Sequence, residues 1–440
     1  MTTNLLNKIA EYFEFTKHKA DFKTEILAGV STFLALSYIF IVNPAILGQG
    51  GMNKGFVFFA TVVASCITTL AMGLWAKKPL VLAPGLEMNG YVAFFVVGAL
   101  GFTWQGALGA VFWEGVLCIL LTMHEMRVRI IKAVPNSMKA GLSLSVGVFV
   151  AIIGLKISNI LLYRGITISG IGALLSHEAL VVYFGLAVIL LLERFKITGS
   201  VLISIILATL LAYHWGLGAT AAEVSALSQG WLDGFLKFDL GVILDPRMWS
   251  VILALFVIDF YGSIAKFIGL TRNTSIVDEN GDMPQIKEAM LVDGAGTIIG
   301  AAAGTTSIIT YVESAVGIGA GGRTGLTAVV CALLMLPFLL VPNLVGAVPV
   351  IAAGGALLFV GITLMPSRKE LAKYSMVEII SVAMMALTVL FTFALDKAML
   401  VGFGIYIIGS VVTGKARQVD IYLIISTILI LVGLVLQQML

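Results

Sequence analysis

The most informative part of the chain reads Leu80-Val-Leu-Ala-Pro84-Gly85-Leu-Glu87-Met-Asn89-Gly90-Tyr91. A second part has the same design and reads Gly304-Thr-Thr-Ser-Ile-Ile-Thr310-Tyr311-Val-Glu313-Ser314. Each part places helix-breaking or hydroxyl residues just before a carboxylate, in an otherwise apolar surrounding. A carboxylate inside a membrane is costly and is therefore a candidate for function. The two parts predict interrupted membrane helices whose tips form a polar binding site.

The composition places the rest of the chain in a membrane. Of its 440 residues, 59% are hydrophobic and only 12% are charged, and the mean hydropathy is +1.05. Apolar runs recur along the whole length, and a membrane helix needs about 20 such residues. We therefore expect an all-α polytopic membrane protein with little soluble mass. Residues 1–23 are polar and contain four lysines, which predicts a cytoplasmic segment rather than a cleavable signal peptide.

The apolar runs predict about fourteen membrane spans. The first half of the spans lies at about 25–43, 57–76, 84–100, 104–123, 138–155, 179–193 and 199–215. The second half lies at about 248–270, 285–303, 309–320, 324–341, 347–365, 376–395 and 398–413. Residues 421–437 are also apolar but have no counterpart in the first half. They could form a further span or a helix packed along the bundle, and the sequence leaves both open.

The basic residues indicate how the chain is oriented. If the N-terminus is inside, most of the 27 lysines and arginines fall in inside loops. The outside loops hold only Lys54, Lys156, Arg164, Lys237, Arg247 and Lys397, and Lys266 lies within a span. Cytoplasmic loops of membrane proteins are enriched in lysine and arginine. The pattern therefore predicts a multi-pass protein of the cell inner (cytoplasmic) membrane with a cytoplasmic N-terminus.

The order of the spans predicts an internal repeat. Seven predicted spans lie on either side of a loop at about 216–246. Because seven is an odd number, the second copy would have the opposite orientation in the membrane. The interrupted third span at Pro84 corresponds in order to the interrupted tenth span at Thr305 to Thr310. The sequence therefore predicts an inverted repeat with two broken helices.

The candidate site combines the broken spans with a third acid. Glu87 and Asn89 lie just past Pro84, Glu313 follows Thr310, and Asp259 lies in the middle of the eighth span. Helix tips expose N–H groups that can meet a polar ligand, and carboxylates accept hydrogen bonds from ring N–H and amino groups. We expect a pocket for a flat, polar, neutral molecule. The aromatic residues that could stack on it are Tyr311, Tyr261, Tyr91 and Phe260.

The acids also have structural interpretations. Asp259 and Lys266 are two turns apart on one helix face, so they could pair and serve packing only. Glu87 and Glu313 could likewise be structural. Asp293 in the ninth span and Glu114 in the fourth span are further candidates, which we expect to lie behind the pocket.

Other motifs exclude several classes of function. The stretch from Gly321 to Thr327 lacks the context of a phosphate-binding loop, and we interpret it as a tight cytoplasmic turn. The histidines show no metal-ligand spacing, and the three cysteines lie in apolar runs, as small core residues do. No Ser-His-Asp set or nucleotide-binding loop is present. We therefore expect no enzyme activity, no metal and no cofactor, and a proton gradient acting through a buried carboxylate as the energy source.

Several motifs together resemble the nucleobase–cation symporter-2 family, in its branch of adenine, guanine and hypoxanthine permeases. The resemblance runs from about residue 12 to 417. Its motifs are Thr24-Glu25-Ile-Leu-Ala-Gly29-Val-Ser-Thr32-Phe33, Tyr38-Ile-Phe-Ile-Val-Asn43-Pro44, Ala83-Pro84-Gly85 with Asn89, Tyr311-Val-Glu313-Ser314 and Gly321-Gly-Arg-Thr-Gly-Leu-Thr-Ala328.

The resemblance implies proton-coupled nucleobase uptake by a homodimer in the lipid bilayer, with no role for nucleic acid. It implies a core domain formed by residues 24–123 and 247–341, a gate domain formed by residues 134–217 and 346–413, and an extra hydrophobic segment at 418–440. It also implies short strand-like stretches in the broken helices. Asn89, Asp259 and Glu313 match the residues that line the site in that branch, and Asp259 and Glu313 are the candidates for proton coupling.

This chain departs from the branch at three positions. Glu87 stands where the branch usually has glycine, Gly262 replaces a second aspartate, and Lys266 replaces a small hydroxyl residue. We hypothesise that Glu87 and Lys266 form a buried ion pair, because either charge alone would be uncompensated. The sequence thus predicts a proton-coupled symporter of a purine-type nucleobase. The alternatives are a carrier of another heterocycle or a small anion that uses Lys266, and a membrane sensor that binds its ligand without transporting it.

Overall fold

A computed structural model describes residues 2–124, 134–164, 167–197, 199–271, 276, 283–392 and 394–439. Helices lie in every stretch that the apolar runs predict as a span, which agrees with the expected helical membrane fold. Within the described residues, five helical segments are long and apolar enough to cross a membrane by themselves. They are Phe22–Gln49, Lys54–Leu74, Trp104–Met123, Asn136–Ile157 and Val350–Leu371. That the chain crosses the membrane about fourteen times stays a prediction.

The helices of the first half include two short N-terminal ones. They are α1 (Thr2–Tyr12), α2 (Phe15–His18), α3 (Phe22–Leu36), α4 (Ile39–Gln49), α5 (Lys54–Leu74), α6 (Leu86–Gly90), α7 (Trp104–Met123), α8 (Asn136–Ile157), α9 (His177–Arg194) and α10 (Ser200–His214). A π-helical turn (Tyr91–Val97) continues α6. Polar caps define several starts: the side chains of Asn53, Thr103 and Ser176 accept hydrogen bonds from the first backbone N–H groups of α5, α7 and α9.

The helices of the second half follow a linker that contains a short helix. They are α11 (Ala221–Ala226), α12 (Pro246–Thr271), α13 (Ile286–Ala303), α14 (Ser314–Gly319), α15 (Gly325–Met335), α16 (Pro342–Gly346), α17 (Gly354–Thr363), α18 (Arg368–Leu371), α19 (Met376–Thr392), α20 (Leu395–Val412) and α21 (Ile421–Met439). Short 3₁₀ segments lie at Leu240–Leu244, Leu336–Leu340, Val350–Ala353 and Ala416–Gln418.

Both broken spans contain a short strand, and the two strands pair with each other. Strand β1 (Leu82–Pro84) is antiparallel to β4 (Ile308–Thr310), with Ala83 opposite Ile309. The β4 strand lies close to α13 because Gly296 has no side chain, and a Cβ there would lie 2.7 Å from the carbonyl oxygen of Ile308. Strands need partners for their backbone groups in lipid. The pairing therefore explains how two interruptions far apart in sequence can coexist inside the membrane.

The tenth span contains a short strand, as the family resemblance implies, but its helical part is shorter than predicted. The sequence analysis expects a span over about 309–320, whereas the structure has β4, a turn and the short helix α14, with Glu313 as the N-cap residue. In the third span, Pro84 is the last residue of β1, and the helix begins two residues later at Leu86. Because these residues form strands, a shorter part of each span is helical.

Two further strands are not anticipated by the apolar pattern. Strands β2 (Leu161–Arg164) and β3 (Thr167–Ile171) form an antiparallel hairpin between α8 and α9. The strands are short, and hairpin pairing is set by contacts across the turn rather than by a long hydrophobic period. This is why span prediction does not detect them.

The helices pack in two groups. One group contains α3, α5, α7, α12, α13 and α15, which contact one another, and the other contains α8, α9, α10, α17, α19 and α20. The C-terminal helix α21 packs against α12 of the first group and α20 of the second. The sequence predicted either a further span or a helix packed along the bundle for this segment. In the structure Leu423, Ile430 and Leu434 are buried, as either alternative requires.

A buried carboxylate connects α3 to the turn at residues 321–327. Glu25 on α3 is fully buried and accepts hydrogen bonds from the backbone N–H of Arg323 at 2.8 Å and of Thr324 at 3.2 Å, and from the hydroxyl of Thr327 at 2.6 Å. The N–H groups at a helix start otherwise lack partners. Glu25 therefore caps α15 from another helix and holds the turn that the sequence predicted.

Candidate functional site

A cavity of about 280 Å³ lies between the two helix groups. One wall carries Lys266 from α12 of the first group, Glu87 from α6, and Tyr311 and Glu313 from the segment between β4 and α14. The opposite wall comes from α8, α17 and α20 and is mostly apolar. It includes Lys139, Leu142, Ser143, Ser145, Val146, Val360, Leu395 and Met399. Ligand cavities of this kind, apolar with a few polar groups, are typical of small-molecule sites.

Glu313 is the acid that the cavity presents most directly. It follows β4, and the hydroxyl of Tyr38 donates to its Oε1 at 2.6 Å. Its other oxygen, Oε2, is buried and receives no hydrogen bond from the described residues. Tyr38 itself lines the cavity. Glu313 therefore has one oxygen fixed by the protein and one acceptor without a partner among the described residues.

Tyr38 is a site residue that sequence reasoning did not assign. It lies between α3 and α4, at the interruption of the first span. The motif that contains it carried the family resemblance, but nothing near it in the sequence points toward Glu313. A hydroxyl at an interruption of an apolar helix is the signal that could have identified it.

Glu87 and Lys266 contact each other at the cavity wall. The Nζ of Lys266 lies 3.2 Å from the Oε1 of Glu87, and both side chains are mostly buried. Glu87 is on α6 and Lys266 is on α12, which are adjacent helices. The structure thus places the two residues as the ion-pair hypothesis requires. It also means that Lys266 is engaged by Glu87, whereas Asp259, the alternative partner from the sequence analysis, has other contacts.

Asp259 does not line the cavity. Its carboxylate is fully buried and accepts hydrogen bonds from the hydroxyls of Ser263 at 2.9 Å and Thr297 at 3.2 Å, with the Sγ of Cys118 at 3.8 Å. The structure therefore separates Asp259 from Glu313, although the sequence analysis expected both in one pocket. Helical periodicity gives the face of a residue but not its depth, which explains the difference.

Two further candidates form hydrogen bonds that connect the broken spans to their neighbours. The Oδ1 of Asn89 accepts a hydrogen bond from the hydroxyl of Thr306, and Asn89 is fully buried away from the cavity. Thr310 donates from its backbone N–H and its hydroxyl to Asp293, at 2.9 and 3.0 Å. These contacts connect the third, ninth and tenth spans to one another, and the two side chains are thus used within the protein.

The predicted aromatic residues also differ in whether they line the cavity. Tyr311 lines the cavity, and its hydroxyl donates to the carbonyl oxygen of Pro84 at 2.9 Å. Phe260 and Tyr91 are fully buried and do not line the cavity. Tyr261 belongs to α12, but its side chain lies outside the described part of the structure. Tyr311 is therefore the predicted aromatic residue that the structure brings to the cavity.

The described residues hold no group of acids, histidines and cysteines arranged to bind a metal ion. Cys66, Cys118 and Cys331 are buried in the bundle and form no disulfide with one another. The cavity therefore offers carboxylate, ammonium and hydroxyl groups for recognition by hydrogen bonds.

The sequence matches a family model described as a permease family over residues 23–398. The chain belongs to this family, the nucleobase–cation symporter-2 permeases. A putative permease of Methanocaldococcus jannaschii is 35% identical over 94% of this chain and 95% of that protein. The adenine permease AdeP of Escherichia coli is 34% identical, over 96% of this chain and 95% of that protein. The guanine/hypoxanthine permease PbuO of Bacillus subtilis is 30% identical, over 96% and 99%.

The fold is similar to that of a solved transporter. The transmembrane domain of a cyanobacterial bicarbonate transporter, BicA, superposes with a TM-score of 0.60 at 16% identity and covers 92% of this chain and 97% of that domain. At this identity the likeness concerns the fold alone. This permease is therefore a multi-pass membrane protein of a known transporter fold, with purine permeases among its relatives.

Proposed function

We propose that this permease takes up a purine-type nucleobase by proton-coupled symport across the cytoplasmic membrane. The observation that carries the proposal is the buried, unpartnered Oε2 of Glu313 at the wall of the cavity. A carboxylate acceptor there fits the ring N–H and amino groups of a purine. The named substrates of the relatives AdeP and PbuO are adenine, guanine and hypoxanthine, which are molecules of this class.

Recognition would involve both walls of the cavity. Glu313 would accept from one edge of the base, the Glu87–Lys266 pair would face another edge, and Tyr311 and Tyr38 would contact the ring. The apolar side chains of the opposite wall would cover the other face of the base. Movement of one helix group against the other, as core and gate domains, would open the cavity to each side of the membrane in turn. We also propose a cytoplasmic N-terminus and a homodimer.

The contact between Lys266 and Glu87 argues against a carrier of small anions that relies on Lys266. Such a site needs the charge of Lys266 to be available, whereas its ammonium group is 3.2 Å from a carboxylate. The ion pair instead gives one donor and one acceptor side by side, which suits a neutral heterocycle with both kinds of group.

The proposal is tested by uptake of radiolabelled adenine, guanine, hypoxanthine, xanthine and uracil into cells that lack their own nucleobase permeases. Wild type and Glu313→Gln are compared with and without a protonophore, at equal expression. We expect protonophore-sensitive uptake of at least one purine and its loss in Glu313→Gln. Absence of uptake of every base by a well-expressed wild type would overturn the proposal, and protonophore-insensitive uptake would overturn the coupling.

A further inference from the structure

Two fully buried carboxyl groups lie against each other outside the cavity. Glu114 on α7 and Asp259 on α12 have no exposed surface, and neither lines the cavity. The two carboxyl groups are within hydrogen-bonding reach of each other. A third acid, Asp293 on α13, lies close enough to act on Glu114 electrostatically.

The hydrogen bonds of Glu114 are incomplete. Its Oε2 accepts from the hydroxyl of Ser307 at 2.9 Å. Its Oε1 is buried and receives no hydrogen bond from any donor among the described residues. Asp259, in contrast, accepts from Ser263 and Thr297. A buried oxygen without a hydrogen-bond partner destabilises the fold, and more strongly if it is charged. The free oxygen of Glu114 therefore requires a donor that the protein does not supply.

A proton between the two acids would supply that donor. Two carboxylates in contact cannot both stay ionised away from water, so such pairs hold one proton between them. No lysine, arginine or histidine among the described residues forms an ion pair with Glu114 or Asp259, since Lys266 on the same helix as Asp259 is engaged by Glu87. In the part of the chain that the structure describes, the other titratable groups facing the pair are Asp293 from α13 and the thiol of Cys118 from α7.

The pair is connected to the cavity through the paired strands. Ser307, the donor to Glu114, directly precedes β4, and its carbonyl oxygen accepts from the backbone N–H of Gly85 at 3.1 Å. Gly85 is the N-cap residue of α6, which carries Glu87. At the other end of β4 the chain leads to Glu313. A change of charge at Glu114 can therefore shift both cavity acids through a short, continuous set of contacts.

We propose that Glu114 and Asp259 share the transported proton, at a site separate from the substrate cavity. This inference rests on the proposed symport. One proton enters from the outside, forms an O–H bond with one carboxyl oxygen, donates a hydrogen bond to the other carboxylate, and leaves on the inside with no other bond made or broken. Glu114 is the group whose charge changes, and Ser307 transmits the change to the strand pair.

The first test separates coupling from substrate binding with purified protein in liposomes. Glu114→Gln keeps the size of the side chain and an acceptor for Ser307 but cannot release a proton. Purine accumulation driven by an inward proton gradient is measured beside exchange of labelled for unlabelled purine without a gradient. For Glu114→Gln we expect exchange close to wild type, whereas the ratio of internal to external purine falls to about one, the value for an uncoupled carrier.

Two further variants serve as controls for that result. Glu313→Gln should lose exchange and accumulation together, because it removes the cavity acceptor. Glu378→Gln makes the same chemical change on α19, where Glu378 accepts from Ser137 at 2.6 Å, and should accumulate purine as wild type does. Accumulation by Glu114→Gln at the wild-type ratio would overturn the proton site. Loss of exchange in folded Glu114→Gln would overturn it as well, because the residue would then act in binding. A wild type without any purine transport would count against the proposed function instead.

A second test needs no substrate. The carbonyl stretch of a protonated, buried carboxyl group is measured by infrared difference spectroscopy at neutral pH, in normal and heavy water. We expect a deuterium-sensitive band in wild type that is lost or shifted in both Glu114→Gln and Asp259→Asn, since the two acids share one proton. A band unchanged in Glu114→Gln would show that this residue holds no proton and would overturn the proposal even if transport failed.

Discussion

At the scale of single residues, the cavity depends on charges that are compensated in pairs or by hydrogen bonds. Glu87 is matched by Lys266 at 3.2 Å, and one oxygen of Glu313 is matched by Tyr38 at 2.6 Å. Burial of an unmatched charge is among the most costly events in a membrane protein. The uncompensated positions, such as the second oxygen of Glu313, are therefore the ones to examine for function.

The Glu87–Lys266 pair gives a direct prediction about stability. Lys266→Met leaves Glu87 buried without its cation, and loss of one partner of a buried pair costs about 3–5 kcal/mol. The double variant Glu87→Gln, Lys266→Met removes both charges, so we expect it to be closer to wild type in both thermal unfolding and uptake. Unfolding is followed in detergent by fluorescence. Equal damage in the single and double variants would contradict a coupled pair.

Lys78 gives a prediction about pH, at the end of α5 outside the membrane span. Burial lowers the pKa of Lys78 to about 8, and its Nζ donates to the Oε1 of Gln285 at 3.0 Å. The unfolded chain, with its ordinary lysine pKa, binds more protons between about pH 8 and 10. The stability of wild type relative to Lys78→Met should therefore rise across this interval, by at most about 1.4 kcal/mol per pH unit.

Below about pH 8 the difference between wild type and Lys78→Met should be constant, because the lysine is then protonated in both states. The measurement is the unfolding midpoint of the two proteins from pH 7 to 10. Lys77→Met is the control, since Lys77 is neighbouring but partly exposed. A difference that does not change between pH 8 and 10 would contradict the lowered pKa of Lys78.

At the scale of elements, the strand pair β1–β4 organises the site. The edge of β1 that does not pair with β4 has its hydrogen-bond partner on a helix. The hydroxyl of Thr69 on α5 donates to the carbonyl oxygen of Leu82 at 3.0 Å and accepts from the N–H of the same residue at 2.9 Å. The carbonyl and N–H groups of Leu82 thereby have partners where water is absent. The sequence predicts the interruptions but does not reveal that they pair with each other or with Thr69.

Thr69→Val tests this arrangement because it keeps the shape of the side chain and removes the hydroxyl. Two buried backbone groups of Leu82 would lose their partner, at a cost of about 1–3 kcal/mol each. We expect a lower unfolding temperature and reduced uptake. Thr69→Ser retains the hydroxyl and should remain near wild type. If Thr69→Val were as stable as Thr69→Ser, Thr69 would not be the group that satisfies β1.

At the scale of the whole molecule, the cavity lies where two helix groups meet, and one helix contacts both. The C-terminal helix α21 packs against α12 and α20. The native cysteines are all buried, so a cysteine introduced into the cavity can report on access. Ser145 is suitable because it lines the cavity from the opposite wall and its hydroxyl has no partner among the described residues.

We predict that a membrane-impermeant maleimide labels Ser145→Cys but not the wild-type protein. A purine that the protein transports should slow the labelling, because the base and the reagent compete for one cavity. Ser65→Cys is the matched control, since Ser65 is equally buried but lies away from the cavity. Labelling is read by a gel shift. Equal labelling of Ser65→Cys, or no labelling of Ser145→Cys from either side, would contradict an accessible cavity between the groups.

The sequence by itself determined the features that depend on hydrophobicity and on membrane insertion. Apolar runs set the places of the helices, and Pro84 and the hydroxyls before Glu313 set the places of the interruptions. These features are local, so period and composition reveal them. Residue types at matching positions also predicted the family. The expected contact between Lys266 and Glu87 followed from the fact that both residues depart from the family pattern.

Only the tertiary structure decided which buried groups meet. It placed Tyr38 on Glu313, separated Asp259 from the cavity, and brought Glu114 beside Asp259 from a different helix. Each of these contacts joins residues far apart in the chain, and their geometry depends on how the helices cross and how deep each lies. Helical periodicity fixes the direction of a side chain around its own axis, but it does not fix which neighbour occupies that direction.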